Sequence, residues 1–272
     1  MTIAVSSWAL HRTIGVTYPD SPSAGRLEAS QHSDQPLPLT ELPAALKTRG
    51  YDRLELCHFH LPAGDDVQVA AFRHALSENA VHLQSLLIDD GDLSNPETSD
   101  RDADWIEGWL DVASRLGAER ARIIAGKQAY SDEAFELAAS QIERLAERAE
   151  GLGLRLTTEN WFPLLSTPSA VNGMLDRLEG KLGLCGDFGN WPAPSKYEDF
   201  PLIFSRAETC HAKCEFIDAD HIDLDDYNRC LAISEAAGFS GAYTLVNGGP
   251  ANEWHALSLT RSAISDSRPQ EV

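Results

Sequence analysis

Ile3-Ala4-Val5-Ser6-Ser7-Trp8-Ala9-Leu10-His11 opens the chain with an apolar strand pattern followed by a loop that contains no glycine. Two architectures alternate parallel strands with helices. An open doubly wound sheet of the nucleotide-binding kind carries a glycine-rich turn after its first strand, where backbone must approach a phosphate. Its absence here leaves the closed barrel. Outward from residues 3–8 the same rhythm repeats. Strand patterns fall at 53–57, 83–88, 122–125, 155–159, 182–187, 207–211 and 241–246. Helix patterns fall between them, at 39–48, 68–77, 131–152, 224–237 and 253–265 among others, and Thr167-Pro168 supplies a helix start with Thr as N-cap and Pro in the first turn. Eight strands alternating with eight helices predict one α/β domain over 1–272, a (β/α)8 TIM barrel with outer helices. The Pro-, Ser- and Gly-rich segment 15–38 is long enough to serve as a lid, and 266–272 has the polar composition of a flexible tail.

With 43% hydrophobic residues, 272 residues suffice for one large core. The formal charge of −20 excludes the basic track needed for sequence-independent nucleic-acid binding and disfavours an anionic membrane surface. The first residues lack a basic leader, and no apolar run reaches the ~18 residues of a membrane span. Five widely spaced cysteines, an odd number inside apolar runs, read as reduced thiols of a cytoplasmic protein. Cys210 and Cys214 have no second thiol pair to complete a zinc site, and Asp89-Asp90-Gly91-Asp92 lacks the later Glu of a calcium loop.

Three polar marks stand where successive strands end: Glu159, Asp187 and His211. Side chains alternate along a strand, so with Leu154, Leu156 and Thr158 facing the helices, Glu159 faces the barrel mouth. The same parity turns Asp187 inward on the sixth strand and His211 and Lys213 inward on the seventh. Adjacent strands lie about 4.8 Å apart, so the three side chains can converge on one divalent metal, with Mn, Zn, Co or Mg all suited to mixed oxygen and nitrogen donors. Lys213 can stabilise developing negative charge, and His58 and His60 after the second strand can act as bases or orient a hydroxyl. Glu55 faces inward as a hydrogen-bond partner to a ligand or substrate. Trp8, Trp161 and Trp191 follow strand ends and can pack on a sugar ring, while Arg12 and Lys127 are cations suited to an anionic group.

Gly50-Tyr51-Asp52-Arg53-Leu54-Glu55-Leu56, Thr158-Glu159-Asn160, Gly183 through Asn190 and His211-Ala212-Lys213, in this order and spacing, resemble the xylose-isomerase-like superfamily of sugar phosphate isomerases and epimerases. The resemblance covers the whole length. It implies that Glu159, Asp187 and His211 are metal ligands, that carboxylates shuttle a proton next to a carbonyl, and that the partner is a small sugar-like molecule. One departure stands out. The family closes its site with a Glu at the end of the eighth strand, where this chain has Val246 followed by Asn247, with Glu253 beyond. Asn247 or Glu253 is then the available fourth ligand. The departure leaves open an isomerase or epimerase, a lyase or dehydratase on the same scaffold, and a sugar-binding barrel without catalysis. The superfamily's apurinic-site endonuclease activity needs several metals and a basic track, which the charge opposes.

Overall fold

The computed structural model describes residues 2–249 and 252–266. Eight parallel strands close into a barrel: β1 (Ile3–Ser6), β2 (Arg53–Cys57), β3 (His82–Leu87), β4 (Arg120–Arg122), β5 (Arg155–Glu159), β6 (Gly183–Asp187), β7 (Ala207–Lys213) and β8 (Ala242–Val246), with β8 paired back onto β1. Helices return the chain outside it: α1 (Leu42–Thr48), α2 (Asp66–Glu78), α3 (Ser99–Leu116), α4 (Asp132–Gly151), α5 (Pro168–Arg177), the single turn α6 (Lys196–Asp199), α7 (Leu224–Ala236) and α8 (Glu253–Asp266). The (β/α)8 barrel expected from the alternation is therefore the fold. The tail expected at 266–272 begins at the last residue of α8, and the rest of it lies outside the described residues.

Local chemistry sets the boundaries. The Thr167 hydroxyl accepts from the Ala170 amide at 3.3 Å and Pro168 occupies the first turn of α5, as the sequence predicts. Gly117, at φ 78°, lets the chain leave α3 in a left-handed turn that a side chain would strain. Leu54, Leu56, Leu156, Leu184 and Leu245 point outward from the strands into one continuous core shared with the helices, and each is buried.

The barrel interior is polar at both ends. At the bottom, charged residues at or beside the strand starts pair with one another: Arg155 with Glu208 at 2.6 Å, Arg53 and Arg120 with Glu119 at 3.2 Å each. These pairs are partly exposed and individually worth little. At the top, the strand ends carry the functional candidates. The fourth strand corrects the sequence expectation: it runs over Arg120–Arg122, not 122–125. The buried run Ile123, Ile124 and Ala125 lies beyond its end, so Arg122 sits at the mouth rather than at the start of the strand.

Residues 15–38 are built rather than structureless. Val16–Thr17 pairs with Ser30–Gln31, and Asp20–Ser21 with Gly25–Arg26, in two short antiparallel ribbons. The arm docks beside the mouth, where the Tyr18 amide donates to the Phe59 carbonyl at 2.7 Å and Trp105 Nε1 donates to Asp20 Oδ1 at 3.1 Å. All five cysteines are free and buried. No helix among the described residues is long and apolar enough to cross a membrane.

Candidate active site

Strand register brings the three marked residues together. Asp187 on β6 lies beside His211 on β7, and Glu159 on β5 lies beside Cys185 on β6. His211 Nδ1 is 3.4 Å from Glu159 Oε2 and 3.5 Å from Asp187 Oδ2. The opposite ring nitrogen, Nε2, donates to Glu55 Oε2 at 2.8 Å. Glu55 is held in turn by Gln84 Nε2 at 2.9 Å and Ser85 Oγ at 3.0 Å, both donating to its Oε1. This chain of bonds fixes the imidazole ring and leaves Nδ1 facing the two carboxylates. Asp187 is anchored through its main chain and side chain: Asn160 Oδ1 accepts its amide at 2.7 Å, and the Gly189 amide donates to its Oδ1 at 2.6 Å. Glu159 Oε1 accepts from Asn190 Nδ2 at 2.5 Å, whereas Oε2 is buried without a hydrogen bond.

Arg122 is the residue that sequence reasoning missed. Its Nη2 donates to Asp89 Oδ1 at 2.5 Å, and its Nε lies 3.1 Å from Glu159 Oε2. Arg122 and Glu159 are almost completely buried, and Asp89 is partly so. Its guanidinium also stands 5.5 Å from the centre of the Trp161 ring. The only available signal was parity counted from Arg120, which a strand begun at Arg122 conceals.

These neighbours set the charges. Burial works against the Glu159 carboxylate, but His211 and Arg122 outweigh it and hold Glu159 below the usual carboxylate range. Burial raises Asp187, and the charge on Glu159 raises it further. Burial disfavours charge on His211, yet the surrounding carboxylates, Glu159, Glu55 and Asp187, raise it well above an ordinary histidine. Burial also raises the Cys185 thiol.

Above this cluster opens a cavity of about 370 Å³. Glu159, Asp187, His211, Lys213, Trp8 and Trp161 line it, as the sequence predicts, together with Arg122, Asp89 and Val246. Other expected residues lie elsewhere. His58 and His60 fall in a helical turn, not an extended strand, so period two fails and Phe59 between them reaches the cavity instead. His58 Nδ1 accepts the Asp89 amide at 3.1 Å, and His60 lies between Ser7 at 2.9 Å and His11 at 3.0 Å. Burial and the neighbouring histidines lower His60 to about 3, so it is a neutral packing group. Trp191 is buried against Phe200. Arg12 turns to the Gly249 carbonyl at 2.8 Å and to Glu253, away from the cavity. Lys127 pairs with Asp90 at 2.5 Å.

Neither expected fourth ligand reaches the cluster. Asn247 is buried behind β8, donating to Thr260 Oγ1 at 3.2 Å, and Glu253 accepts the amides of Arg12 at 2.8 Å and Thr13 at 2.7 Å. Val246 lines the cavity next to Lys213, its partner in the β7–β8 register.

The donors nevertheless suit a divalent ion. Groups bound to one ion at ~2.0–2.6 Å lie roughly 3–4 Å apart, as Nδ1 does from both carboxylates. Among the described residues, Glu159 Oε2 makes no hydrogen bond and meets only the ion-pair contacts of Arg122 Nε at 3.1 Å and His211 Nδ1 at 3.4 Å, so its lone pairs remain available to an ion. The donor atoms that all lie within 4.8 Å of one another are those of Glu159, Cys185 and His211, but Cys185 stands one pleat below Asp187 and burial keeps its thiol protonated, so Asp187, 3.5 Å from His211 Nδ1, is the better third donor.

The fold has solved counterparts. An L-ribulose 3-epimerase superposes with a TM-score of 0.70 at 13% identity, over 98% of this chain and 95% of that one. A D-allulose 3-epimerase from Methylomonas sp., in complex with D-allulose, gives 0.68 at 15% over 98% and 96%. A xylose isomerase-like TIM barrel protein from Mycobacterium smegmatis, in complex with magnesium, gives 0.65 at 14% over 98% of each chain. At such identities the likeness is one of fold. No curated protein sequence matches the chain. Residues 43–232, well over half of the chain, match a family described as xylose isomerase-like TIM barrel, and it is to this family that the chain belongs.

Proposed function

We propose that the protein is a divalent-metal-dependent isomerase of polyhydroxy carbonyl compounds, working by proton abstraction next to the carbonyl. The observation that carries this reading is the buried convergence of Glu159 Oε2 and Asp187 Oδ2 on His211 Nδ1, at 3.4 and 3.5 Å, at the floor of the cavity. A divalent ion held by Glu159, Asp187 and His211 would polarise the carbonyl and its neighbouring hydroxyl, making the C–H between them acidic. Glu159 supplies the carboxylate that takes the proton. Arg122 keeps it ionised from the Oε2 side and Asn190 holds Oε1, so the acceptor is oriented before substrate arrives. Lys213, reaching in from β7, presents a positive charge to the bound substrate. Trp8 and Trp161 offer flat apolar walls for the carbon skeleton.

Val246 decides between related reactions. Inverting a carbon needs proton-transfer groups on both faces, and the second carboxylate of the family is a valine here. A base on one face favours returning the proton to the neighbouring carbon, which is aldose–ketose isomerisation. Loss of a β-hydroxyl from the same enediolate, the lyase reading, uses the same base and is favoured by the same observation. The test is hydrogen exchange in deuterium oxide, followed by NMR with a panel of aldoses, ketoses and their acids in excess manganese. The expected result is deuterium entering the carbon next to a carbonyl, slowed roughly 10²–10⁴-fold in Glu159→Gln. Exchange undiminished in that variant would contradict the assignment of the base.

A further inference from the structure

The basic residues of this chain are outnumbered 22 to 42 by acidic ones, so partners for a cation are plentiful. The described lysines and arginines have used them. Lys127, Lys181 and Lys196 sit in ion pairs, Lys47 donates to a carbonyl, and even Arg229, without an ion pair, lies 3.7 Å over the Tyr197 ring. Lys213 is the exception among the described residues: its side chain has no hydrogen bond, ion pair or ring contact, feels only the longer-range charge of Asp187, and lines the cavity above the metal-site residues. Its placement is built. The stem lies across Gly189, where an added Cβ would come within 2.5 Å of Lys213 Cδ and 3.1 Å of Cγ. Gly189 also donates its amide to Asp187, so the segment that orients a ligand carboxylate makes room for the lysine.

Resting on the isomerase reading of this cavity, we infer that the substrate is a sugar acid, a polyhydroxy carbonyl compound bearing a carboxylate, and that Lys213 binds that carboxylate. An unpaired ammonium half-buried in an acidic protein gains most from a ligand that supplies the missing counter-charge. The size of the charge selects the group. Asp89, Glu159 and Asp187 line the same cavity, and Arg122 is already engaged by two of them. One unpaired positive charge matches a monoanion. A phosphate dianion would face these carboxylates with half its charge unanswered. Val246, beside Lys213 in the sheet, adds no acid to compete for the ammonium.

The test is calorimetric titration of the full-length protein with three probes of one carbon skeleton: D-xylonate, xylitol and xylitol 5-phosphate, with and without excess manganese. D-Xylonate should bind roughly tenfold more tightly than xylitol, a preference that shrinks as salt is added. Lys213→Met should abolish the preference and Lys213→Arg keep part of it. Gly189→Ala, which displaces the stem without removing the charge, should weaken D-xylonate more than xylitol. Equal binding of D-xylonate and xylitol, no binding of D-xylonate, or a preference surviving in Lys213→Met would overturn the inference. Tighter binding of the phosphate would overturn the choice of a carboxylate. The underlying function fails separately: a D-xylonate preference without metal binding would leave Lys213 as an anion site and remove the isomerase, whereas turnover of neutral ketoses with no such preference would do the reverse.

Discussion

At the scale of single residues, the site is a balance between one arginine, one histidine and buried carboxylates. Arg122 neutralises Asp89 and Glu159 at 2.5 and 3.1 Å, and it competes for the same Glu159 oxygen that faces His211. Among the described residues, removing it leaves the buried Glu159 with His211 as its only cation and Asp89, partly exposed, with none; breaking a buried ion pair costs about 3–5 kcal/mol, and the partial exposure of Asp89 reduces that. A divalent ion would restore part of that charge. Arg122→Met should therefore melt well below the wild type without metal, and manganese should raise its melting temperature by more than it raises that of the wild type. Equal shifts in both proteins, read by differential scanning calorimetry, would mean that the arginine and the ion do not share Glu159. The histidine sets the pH window. With its folded pKa raised above the unfolded 6.5, His211 stabilises the metal-free fold fully below that value and loses the contribution as pH rises through the raised pKa. Glu159, lowered, contributes above its unfolded value of 4.5 and loses it as pH falls through the folded one.

At the scale of elements, β8 carries the main departure from the family. Val246 lines the cavity, and its register partner on β7 is Lys213 rather than His211. Val246→Glu should add a charged donor and tighten manganese binding, measured by calorimetry on both proteins. Unchanged affinity would mean that a side chain at this position does not reach the ion. The same elements show what a sequence carries. β5 and β6 were legible because apolar residues alternate with Thr157, Glu159, Cys185 and Asp187, so parity alone turned the right side chains inward. β4 was not. Its three residues begin and end on arginines, and the apolar run that draws attention, Ile123 to Ala125, belongs to the chain leaving the strand. That displacement hid Arg122. His58 and His60 misled for a related reason, since a helical turn replaces the extended conformation on which their shared face depended. The ribbons within 15–38 are two residues per strand, too short for any periodicity to register.

At the scale of the whole molecule, the barrel separates stability from chemistry. Charged residues at the strand starts pair among themselves at the bottom, and an apolar layer surrounds the strands. The functional candidates converge at the C-terminal rim, the face on which barrels of this class build their sites. Strand order alone gathers Glu159, Asp187 and His211 from β5, β6 and β7, while Glu55 reaches His211 across the interior from β2. The central claim is that this convergence binds a divalent ion, and its most direct test is titration of the metal-free protein with manganese near neutral pH in two buffers of different ionisation enthalpy. Because His211 must give up a proton from Nδ1 to act as a ligand, the account predicts a single ion per chain, about one proton released per ion, and loss of binding in Glu159→Gln. Absence of binding, or binding that Glu159→Gln leaves intact, would contradict it.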